Sequence, residues 1–538
     1  MLFRFCRTGY RNIDTLLVNV SRRYAKAAAN ARRNQNEAID GEVKCQKSKV
    51  PIIKCNKSMY NFYKGDTCTK GKPTLASHGW NHRKTKGDYF FIYPYENDNS
   101  PANERVDASF ETFRDFDLNP TVCNHLETMD IRKPLEIQNL GIPKILQGYN
   151  VLLAAETGCG KTLAYLLPLV TKIIAWKQTT ERDMNCPLGL IITPSRELTV
   201  QIALVLIKLS KHLDINTKII TGGRTKKMMM DPPTGRVDVL VCSFGVISKL
   251  STLGVYNLKF VRLVVLDEAD SLFHSTFEEK LRVFMRRLFV GYFQETSENE
   301  LPTTAQLVLS SATVPSRLEN VLHNIVNLES LEHVTTKKLH TILVPQKFIK
   351  LIPSQKPMEL LKYIKPKVLS KQRVIIFSNR NATSTWVYLF LQECGIKVTN
   401  LHGDMPLRVR RGKYGEFLNG KTMVLSTTNG GSRGLDTIMV NHILNYDFPL
   451  DTSAYIHRCG RTGREGTVGD CRVTNFITRS SEVAVVQKIE MAVRKMKPLP
   501  IFNLVGSDEV QEEEEEEMEN NYIENIIENL DNPEDIPY

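Results

Sequence analysis

The sequence of 538 residues predicts an α/β fold in which two tandem domains each contain a parallel sheet. Three observations lead to this prediction. Short apolar runs alternate with helix-like segments over residues 106–335, the alternation repeats over 356–505, and a glycine-rich turn ending in Lys-Thr lies at 155–162. Strands that alternate with helices pair in parallel, and their ligand-binding loops gather at the carboxyl ends of the strands.

The individual strands are predicted from continuous apolar runs, which are typical of a sheet covered on both faces. In the first domain these runs are at 150–154, 188–193, 217–221, 237–242, 261–266 and 305–310. In the second domain they are at 373–377, 397–401, 422–426, 442–446 and 470–477. Residues 336–355 are predicted to link the two domains.

The amino-terminal part of the chain indicates targeting rather than folding. Residues 1–35 are amphipathic and rich in Arg, and Asp14 is the only acid among them. This composition predicts a mitochondrial transit peptide and import into the matrix, with a basic RNA-binding arm or a nuclear or nucleolar address as the alternative. Residues 36–105 are polar and basic, and we expect a largely disordered extension in which only 75–80 docks on the core.

Charge is distributed unevenly along the chain. The sequence has 71 Lys and Arg against 59 Asp and Glu, yet residues 508–538 contain 14 of the acids and none of the bases. We therefore predict a disordered acidic tail at 506–538 and a strongly basic body, which favours a polyanionic partner over a merely solvated surface. The apolar runs are too short to span a bilayer, so no membrane partner is expected.

Two segments predict nucleotide hydrolysis. The turn is made of Ala155, Glu156, Thr157, Gly158, Cys159, Gly160, Lys161 and Thr162. Such a turn can wrap backbone N–H groups around the phosphates of ATP, with Lys161 on the outer phosphates and the Thr162 hydroxyl on Mg²⁺. Asp267 ends a later apolar strand and supplies the other contact to Mg²⁺, partly through water, while Glu268 can orient the attacking water.

Further motifs extend this pattern across both domains. Pro-Ser-Arg-Glu-Leu stands at 194–198, Asp-Glu-Ala-Asp at 267–270, Ser-Ala-Thr at 311–313, and His-Arg-Cys-Gly-Arg-Thr-Gly-Arg at 457–464. Over roughly residues 110–480 the sequence resembles the DEAD-box RNA helicases of superfamily 2. Within that family it is most similar to the mitochondrial helicases of large mitoribosomal subunit assembly. The resemblance implies two RecA-like domains and an RNA-stimulated ATPase that acts as a monomer.

The resemblance also implies how the nucleotide is held. Gln138 reads the adenine edge with Phe113 packing nearby, and Asp436 meets the ribose hydroxyls. Arg461 and Arg464 come from the second domain as arginine fingers and complete a catalytic set with Lys161, Asp267 and Glu268. Ser311 and Thr313 are expected to connect the acidic cluster to His457, so that hydrolysis is coupled to domain closure.

RNA is expected to lie across both domains and to be bound without regard to base identity, through phosphates and 2′-hydroxyls. The partner is expected to be ribosomal RNA or its precursor particle. The candidate RNA-binding residues are Arg196, Gly223, Ser243, Gly245, Arg380, Gly403 and Thr428.

The sequence departs from the family pattern at three places. Ser-Phe-Gly-Val at 243–246 replaces Thr-Pro-Gly-Arg, which removes one RNA-facing Arg. Asn429 replaces an Asp near the domain interface, and Ile131 replaces the aromatic residue expected to stack on adenine. Because these departures leave the hydrolytic residues intact, an active helicase is favoured over a non-catalytic RNA-binding scaffold. A DNA translocase is a third alternative.

Overall fold

The computed structural model describes a set of residues that covers most of both predicted domains. These residues are 51–57, 60–61, 74–94, 110–179, 181–222, 235–273, 275–291, 302–315, 318–323, 325–336, 339, 341–342, 344–403, 405, 407–432, 439–463 and 469–504. The predicted transit peptide at 1–35 and the acidic tail at 506–538 lie outside the described residues. Among the described residues, no helix has both the length and the apolar character that a bilayer span requires.

Strands alternate with helices along the described chain. The strands are β1 (Ile52–Cys55), β2 (Tyr89–Tyr93), β3 (Val151–Ala154), β4 (Gly189–Thr193), β5 (Thr217–Ile220), β6 (Val239–Ser243), β7 (Leu263–Asp267), β8 (Gln306–Ser311), β9 (Glu332–Thr335), β10 (Gln346–Lys350), β11 (Val374–Ser378), β12 (Val398–Leu401), β13 (Val424–Thr428), β14 (His442–Asn445) and β15 (Arg472–Ile477).

The helices of the first lobe are α1 (Pro120–Thr128), α2 (Glu136–Leu146), α3 (Lys161–Thr179), α4 (Arg196–Leu209), α5 (Phe244–Thr252), α6 (Ala269–Leu272), α7 (Ser275–Met285) and α8 (Leu318–Leu322). Those of the second lobe are α9 (Lys356–Leu369), α10 (Asn381–Glu393), α11 (Leu407–Leu418), α12 (Asn429–Ser432), α13 (Thr452–Cys459) and α14 (Ser480–Arg494).

The described strands form two sheets, one in each lobe. The first sheet is parallel and runs in the order β5-β6-β4-β7-β8-β3-β9, with separate apolar clusters on its two faces. The second runs in the order β1-β2-β10-β15-β14-β11-β13-β12 and is parallel apart from β1 and β2. This architecture confirms the predicted α/β fold with two parallel-sheet domains. Every predicted strand is present within about two residues of its predicted bounds.

The predicted linker at 336–355 is wrong in part. Strand β10 lies inside it and pairs in parallel with β15, so the second lobe begins before residue 346. The Gln-Lys-Phe-Ile-Lys segment of β10 alternates only briefly between polar and apolar residues, and its flanks carry no strong strand signal. The sheet edge supplies hydrogen bonds and apolar cover that the local sequence does not reveal.

The described parts of the extension at 36–105, which are residues 51–57, 60–61 and 74–94, are more ordered than predicted. Strand β1 pairs with β2, and β2 pairs with β10, so the extension adds two antiparallel strands to the second sheet. Trp80 is 1% exposed, and its ring centroid lies 5.4 Å from that of Phe90, which in turn stacks on Phe348 at 5.0 Å. Apolar burial therefore holds this segment on the second lobe, and the predicted docking of 75–80 is observed.

A buried carboxylate on the second lobe also holds the extension through hydrogen bonds. Glu490 of α14 is fully buried and accepts from the backbone N–H groups of Ala76 and Ser77 at 2.7 and 3.1 Å. It also accepts from Ser77 Oγ at 2.7 Å and pairs with Arg494 at 2.8 Å. A buried charge is tolerated only when it is paired and hydrogen-bonded, and Glu490 meets both conditions.

We expect Glu490→Gln to destabilise the second lobe by roughly 3 kcal/mol, since it leaves the buried Arg494 guanidinium without its counter-charge. Denaturant unfolding would measure the loss, and limited proteolysis between residues 57 and 94 would show whether the extension detaches. Ser77→Ala is the matched control and should cost only about 1 kcal/mol, because it removes one hydroxyl bond. Equal losses for the two variants would contradict a specific role of the ion pair.

Candidate active site and nucleic-acid interface

The glycine-rich turn connects β3 to α3 at the carboxyl edge of the first sheet. Gly158 and Gly160 have φ angles of +87° and +89°, a conformation that favours glycine. A Cβ placed on Gly160 would lie 2.5 Å from Gln138 Nε2, so this position also has no room for a side chain. The Lys161 ammonium donates to the carbonyls of Ala155 and Glu156, and a bound triphosphate would compete with them for it.

Gln138 links the start of α2 to this turn. Its Oε1 accepts from Leu135 N at 2.8 Å, and its Nε2 donates to Gly160 O at 3.1 Å. Phe113 is 3% exposed and belongs to the apolar cluster beneath the turn, against which Ile131 also packs. The structure thus places Gln138 against the turn and Phe113 in the core below it, while their contacts with adenine stay predictions.

The other residues of the turn face three different surroundings. Ala155 is buried and donates its N–H to Ser311 O at 3.1 Å. Glu156 accepts from Thr336 Oγ1 at 2.6 Å, which ties the turn to the end of β9. Burial raises the pKa of the Cys159 thiol, so this side chain packs as an apolar group at neutral pH.

Asp267 and Glu268 lie opposite the turn, where β7 ends. The Tyr165 hydroxyl donates to Asp267 Oδ2 at 3.0 Å, and the Thr162 side chain lies close enough to that hydroxyl to influence its pKa. Asp267 Oδ1 accepts the N–H of Glu268, which has φ +49°, a left-handed conformation that costs about 1 kcal/mol outside glycine. The hydroxyl and the carboxylate predicted to face Mg²⁺ therefore share Tyr165 as a common neighbour.

The electrostatics of this cluster fit a divalent cation. Burial raises the pKa of the Asp267 carboxyl, and the charge of Glu268 adds to the rise. Glu268 Oε2 is buried and has no hydrogen-bond partner among the described residues. Two adjacent buried carboxylates repel each other, and a bound cation would remove that cost. Magnesium commonly binds through one or two protein oxygens and substrate phosphates, as Asp267 and Thr162 would allow.

Asp270 joins the two lobes. Its Oδ2 accepts from Thr313 Oγ1 of the first lobe at 3.1 Å. The same oxygen accepts from Ser453 Oγ at 3.2 Å and from His457 Nε2 at 3.0 Å, both on α13 of the second lobe. Ser311 contributes indirectly, because its Oγ accepts the N–H of Thr313 at 3.3 Å. The acidic cluster is thus in direct contact with His457, and Ser453 is a partner that sequence reasoning missed.

The contact between Asp270 and His457 is an ion pair. Burial disfavours the charged form of each group, but their mutual attraction outweighs it. The pKa of Asp270 is held well below its usual range by the His457 charge and by hydrogen bonds, and the pKa of His457 is raised above 6.5 by the Asp270 carboxylate. Protonated His457 therefore strengthens the contact between lobes.

The second lobe also approaches the phosphate-binding turn. Arg461 is 4% exposed, and its Nη2 lies 3.8 Å from Glu268 Oε1. A Cβ placed on Gly460 would overlap Thr157 Oγ1 at 1.5 Å, so only glycine permits this approach. Arg464 and Asp436 lie outside the described residues, and their predicted roles stay predictions.

A second ion pair between the lobes was not foreseen. Arg410 Nη2 of α11 lies 3.1 Å from Glu197 Oε2 of α4, and both side chains are nearly buried. The contact is short enough for an ion pair but falls outside hydrogen-bond geometry. Glu197 belongs to the Pro-Ser-Arg-Glu-Leu segment, whereas Arg410 stands in a basic stretch that gives no local sign of its partner.

Three of the candidate RNA-binding residues lie at the amino ends of helices. Arg196 begins α4, Ser243 precedes α5, and Arg380 precedes α10. Helix amino ends present N–H groups and partial positive charge, which suit phosphate. A Cβ placed on Gly222 would lie 2.8 Å from Arg196 Nε, so glycine permits close approach there.

The remaining candidates differ in their surroundings. Gly245 and Gly403 are exposed, and a Cβ on either would meet open space. Thr428 is 5% exposed, and its hydroxyl donates to Asn381 Oδ1 at 3.1 Å, so it is engaged within the lobe. Gly223 lies outside the described residues.

Asn429, one of the departures from the family pattern, faces a buried cation. Arg458 is 1% exposed, and burial lowers its pKa to about 10. Its guanidinium donates to four neutral acceptors, which are Asn429 Oδ1, Asn445 Oδ1, Asn379 Oδ1 and Asp447 O. An Asp at 429 would place a carboxylate where Asn429 Oδ1 now lies, 2.7 Å from Arg458 Nε.

We expect Asn429→Asp to stabilise the second lobe by about 1 kcal/mol, because a charge-assisted bond replaces a neutral one. The midpoint of denaturant unfolding would measure the change. Asn429→Ala should have the opposite sign, since it removes an acceptor from a buried cation. A loss of stability in Asn429→Asp would show that the nearby Asp447 carboxylate already neutralises Arg458.

Two protein-family models match the chain, one in each lobe. The model described as "DEAD/DEAH box helicase" matches residues 135–321, and the model described as "Helicase conserved C-terminal domain" matches residues 355–466. Together they span the turn, the acidic cluster and the lobe that carries His457 and Arg461.

The chain is similar to curated relatives over most of its length. It is 34% identical to "Probable ATP-dependent RNA helicase DDX28" of Mus musculus over 439 residues, which cover 79% of this chain and 81% of the relative. The Homo sapiens protein of the same name is 33% identical over the same shares.

Solved structures agree on the fold. A variant of S. cerevisiae Dbp5 bound to RNA and ADP BeF3 superposes with a TM-score of 0.58 at 25% identity, covering 72% of this chain and 93% of that one. Mss116p bound to ssRNA and AMP-PNP superposes with a TM-score of 0.58 at 22% identity, covering 70% and 75%.

Proposed function

Because this chain belongs to the DEAD/DEAH box family and is an ATP-dependent RNA helicase, we propose that ATP and RNA together close its two lobes and that hydrolysis reopens them. The contact that carries this proposal is Asp270, which accepts hydrogen bonds from both lobes. Arg461 approaches Glu268 in the same arrangement. Catalytic groups that are divided between two bodies work only when those bodies meet.

The first lobe holds the nucleotide in this proposal. The N–H groups of residues 155–162 and the Lys161 ammonium bind the phosphates. Thr162 and Asp267 would hold Mg²⁺, partly through water, and that ion would neutralise charge on the β- and γ-phosphates. Gln138 holds the adenine edge from beside the turn.

The chemical step needs both lobes. Glu268 orients the attacking water and takes up its proton, helped by the burial that leaves its Oε2 without a hydrogen-bond partner in the described structure. Arg461, with Arg464 as its predicted companion, stabilises the charge that develops on the transferred phosphoryl group.

RNA binds across the amino ends of α4, α5 and α10. Phosphate contacts at helix ends carry no base information, so binding is independent of sequence. In the closed state one strand is held in a bent form that a regular duplex cannot adopt. Local strand separation or remodelling of an RNA–protein particle follows, and phosphate release reopens the lobes.

The proposed cellular setting of this activity is the mitochondrial matrix. The Arg-rich segment at 1–35 supports import into the mitochondrial matrix, and the motif pattern resembles helicases of large mitoribosomal subunit assembly. The monomeric enzyme would act there on ribosomal RNA or its precursor particle. Crosslinking of the protein to cellular RNA, combined with organelle fractionation, tests this. Recovery of nuclear or nucleolar RNA alone would contradict it.

Phosphate release measured with and without nucleic acid tests the activity. We expect single-stranded RNA to stimulate ATP hydrolysis and DNA of the same sequence to stimulate it far less. Stimulation by DNA to the same extent would indicate a translocase. Tight RNA binding without any hydrolysis would indicate the non-catalytic scaffold.

A further inference from the structure

One face of the second sheet carries aromatic and basic side chains at its outer edge. The aromatic-basic face consists of Phe91, Tyr93, Lys54, Lys347, Lys367 and Arg472, all of them half-buried. Five of the six stand on β1, β2, β10 and β15, and Lys367 reaches them from α9. The face exists only because the amino-terminal extension adds β1 and β2 to the sheet.

Aromatic rings and cations alternate across the paired strands of this face. Phe91 stands between Lys54 of β1 and Lys347 of β10 in one row across the sheet. Lys347 Nζ lies 5.2 Å and Arg472 Cζ 5.4 Å from the centroid of the Phe91 ring, and Lys54 Nζ lies 5.6 Å from that of Tyr93. Tyr93 in turn stacks beside Phe91 with centroids 6.2 Å apart.

The cations of this face are crowded. Burial lowers the pKa of Lys367 to about 8, and the charges of Arg472 and Lys347 contribute to the fall. Burial and the charges of Lys367 and Arg472 also lower the pKa of His442, at the neighbouring strand end, to about 3. Like charges held together in a partly desolvated place repel each other, and a polyanion would relieve that repulsion.

The face is separate from the active-site cleft. Arg472 and His442 stand at the amino ends of β15 and β14. The groups that contact the first lobe, such as His457 and Arg410, follow the carboxyl ends of the strands. A nucleic-acid strand in the cleft would therefore not cover the aromatic-basic face.

We propose that the aromatic-basic face is a second RNA-binding site, which holds a single-stranded segment outside the cleft by stacking bases on Tyr93 and Phe91 and pairing phosphates with the cations. Aromatic rings that are flanked by Lys and Arg are a recurring means by which single-stranded RNA is bound without regard to base identity. This proposal rests on the RNA helicase activity of the chain. The site would tether the enzyme to its RNA substrate between cycles of closure.

Removing charge from the face tests the site. The full-length Lys347→Gln/Arg472→Gln variant should bind a labelled RNA of about 30 nucleotides roughly tenfold more weakly in the absence of nucleotide. The slope of log affinity against log salt should become shallower by about 1.4, since each lost single-strand contact removes about 0.7. ATP hydrolysis at saturating RNA of about 10 nucleotides should match the wild type, because the short RNA works in the cleft.

The matched control is Lys397→Gln/Lys421→Gln, which removes two exposed cations at the opposite edge of the same lobe. It should leave the affinity for the long RNA within about twofold of the wild type. Tyr93→Leu separates stacking from charge, and we expect it to lower affinity roughly fivefold with no change of the salt slope.

The outcomes are distinguishable from those of the hydrolysis test. If the Lys347→Gln/Arg472→Gln variant binds the long RNA with wild-type affinity and salt slope, the aromatic-basic face is not an RNA site. The same conclusion follows if the control variant loses as much affinity, because net charge alone would then explain the effect. Circular dichroism melting of each variant verifies that the extension remains folded.

Discussion

Glu268→Gln is expected to lower RNA-stimulated ATP turnover by about a thousandfold while leaving ATP and RNA binding close to wild type. General-base catalysis contributes about 10²–10⁴ in rate, and an amide cannot accept the proton of the attacking water. The substitution preserves the size of the side chain and the left-handed backbone, which Asp267 stabilises by accepting the Glu268 N–H at 3.0 Å. Single-turnover phosphate release at saturating ATP and RNA measures the effect.

Lys161→Ala provides the contrast. It removes the ammonium that lies over the carbonyls of Ala155 and Glu156, so it should weaken nucleotide binding as well as turnover. Glu268→Gln should therefore change kcat alone, and Lys161→Ala should change both kcat and KM. Hydrolysis at the wild-type rate in either variant would show that the phosphates are cleaved elsewhere.

Much of this arrangement could be predicted because it is encoded locally. The glycine-rich turn needs residues that adopt positive φ, and an apolar run directly before it predicts the strand that presents it. Asp267 follows an apolar run in the same way, and parallel pairing brings the carboxyl ends of β3 and β7 to one edge. Local periodicity and the order of the segments along the chain were therefore enough to predict that the nucleotide-binding residues lie together.

The pairings between distant residues could not be predicted. Arg410 pairs with Glu197, and Ser453 donates to Asp270, across the two domains. The sequence around Arg410 or Ser453 gives no indication of these partners. Only the docking of one lobe on the other decides which polar groups meet. The same limit explains Arg458, whose four neutral acceptors come from three separate segments of the chain.

The extension shows a different kind of limit. Its composition is polar and basic, which indicates disorder when it is averaged over seventy residues. Yet Tyr-Phe-Phe-Ile-Tyr at 89–93 is a strand signal of five consecutive apolar or aromatic residues, and Trp80 is a large side chain that needs cover. A short apolar segment can find its partner on a sheet edge that is distant in sequence.

Asp270→Asn is expected to uncouple the lobes and to lower RNA-stimulated hydrolysis by at least about a hundredfold. Removal of one partner from a buried ion pair costs about 3–5 kcal/mol, and this cost falls on the closed state because His457 and Ser453 belong to the second lobe. Binding of ATP to the first lobe should persist, since Asp270 does not belong to the phosphate-binding turn. Energy transfer between dyes on the two lobes would measure closure directly.

Ser453→Ala is the matched control, because it removes one neutral donor from the same carboxylate and should cost only about 1 kcal/mol of closure. A hundredfold loss in Ser453→Ala as well would mean that the packing of α13, and not the charge of Asp270, holds the lobes together.

The pH dependence separates the ion pair from a neutral hydrogen bond. The pKa of His457 is raised by Asp270, so its contribution to closure is complete below about 6.5 and is lost as pH rises through the raised pKa. The pKa of Asp270 is depressed, so its contribution is present above about 3.8 and is lost only as pH falls through the depressed value.

Wild-type closure should therefore weaken from neutral to alkaline pH. In Asp270→Asn this weakening should largely disappear, because the carboxylate that does most to raise the pKa of His457 is gone. A wild-type profile that is flat from pH 6 to 9 would show that neutral His457 serves equally well and that the charge has no part in closure.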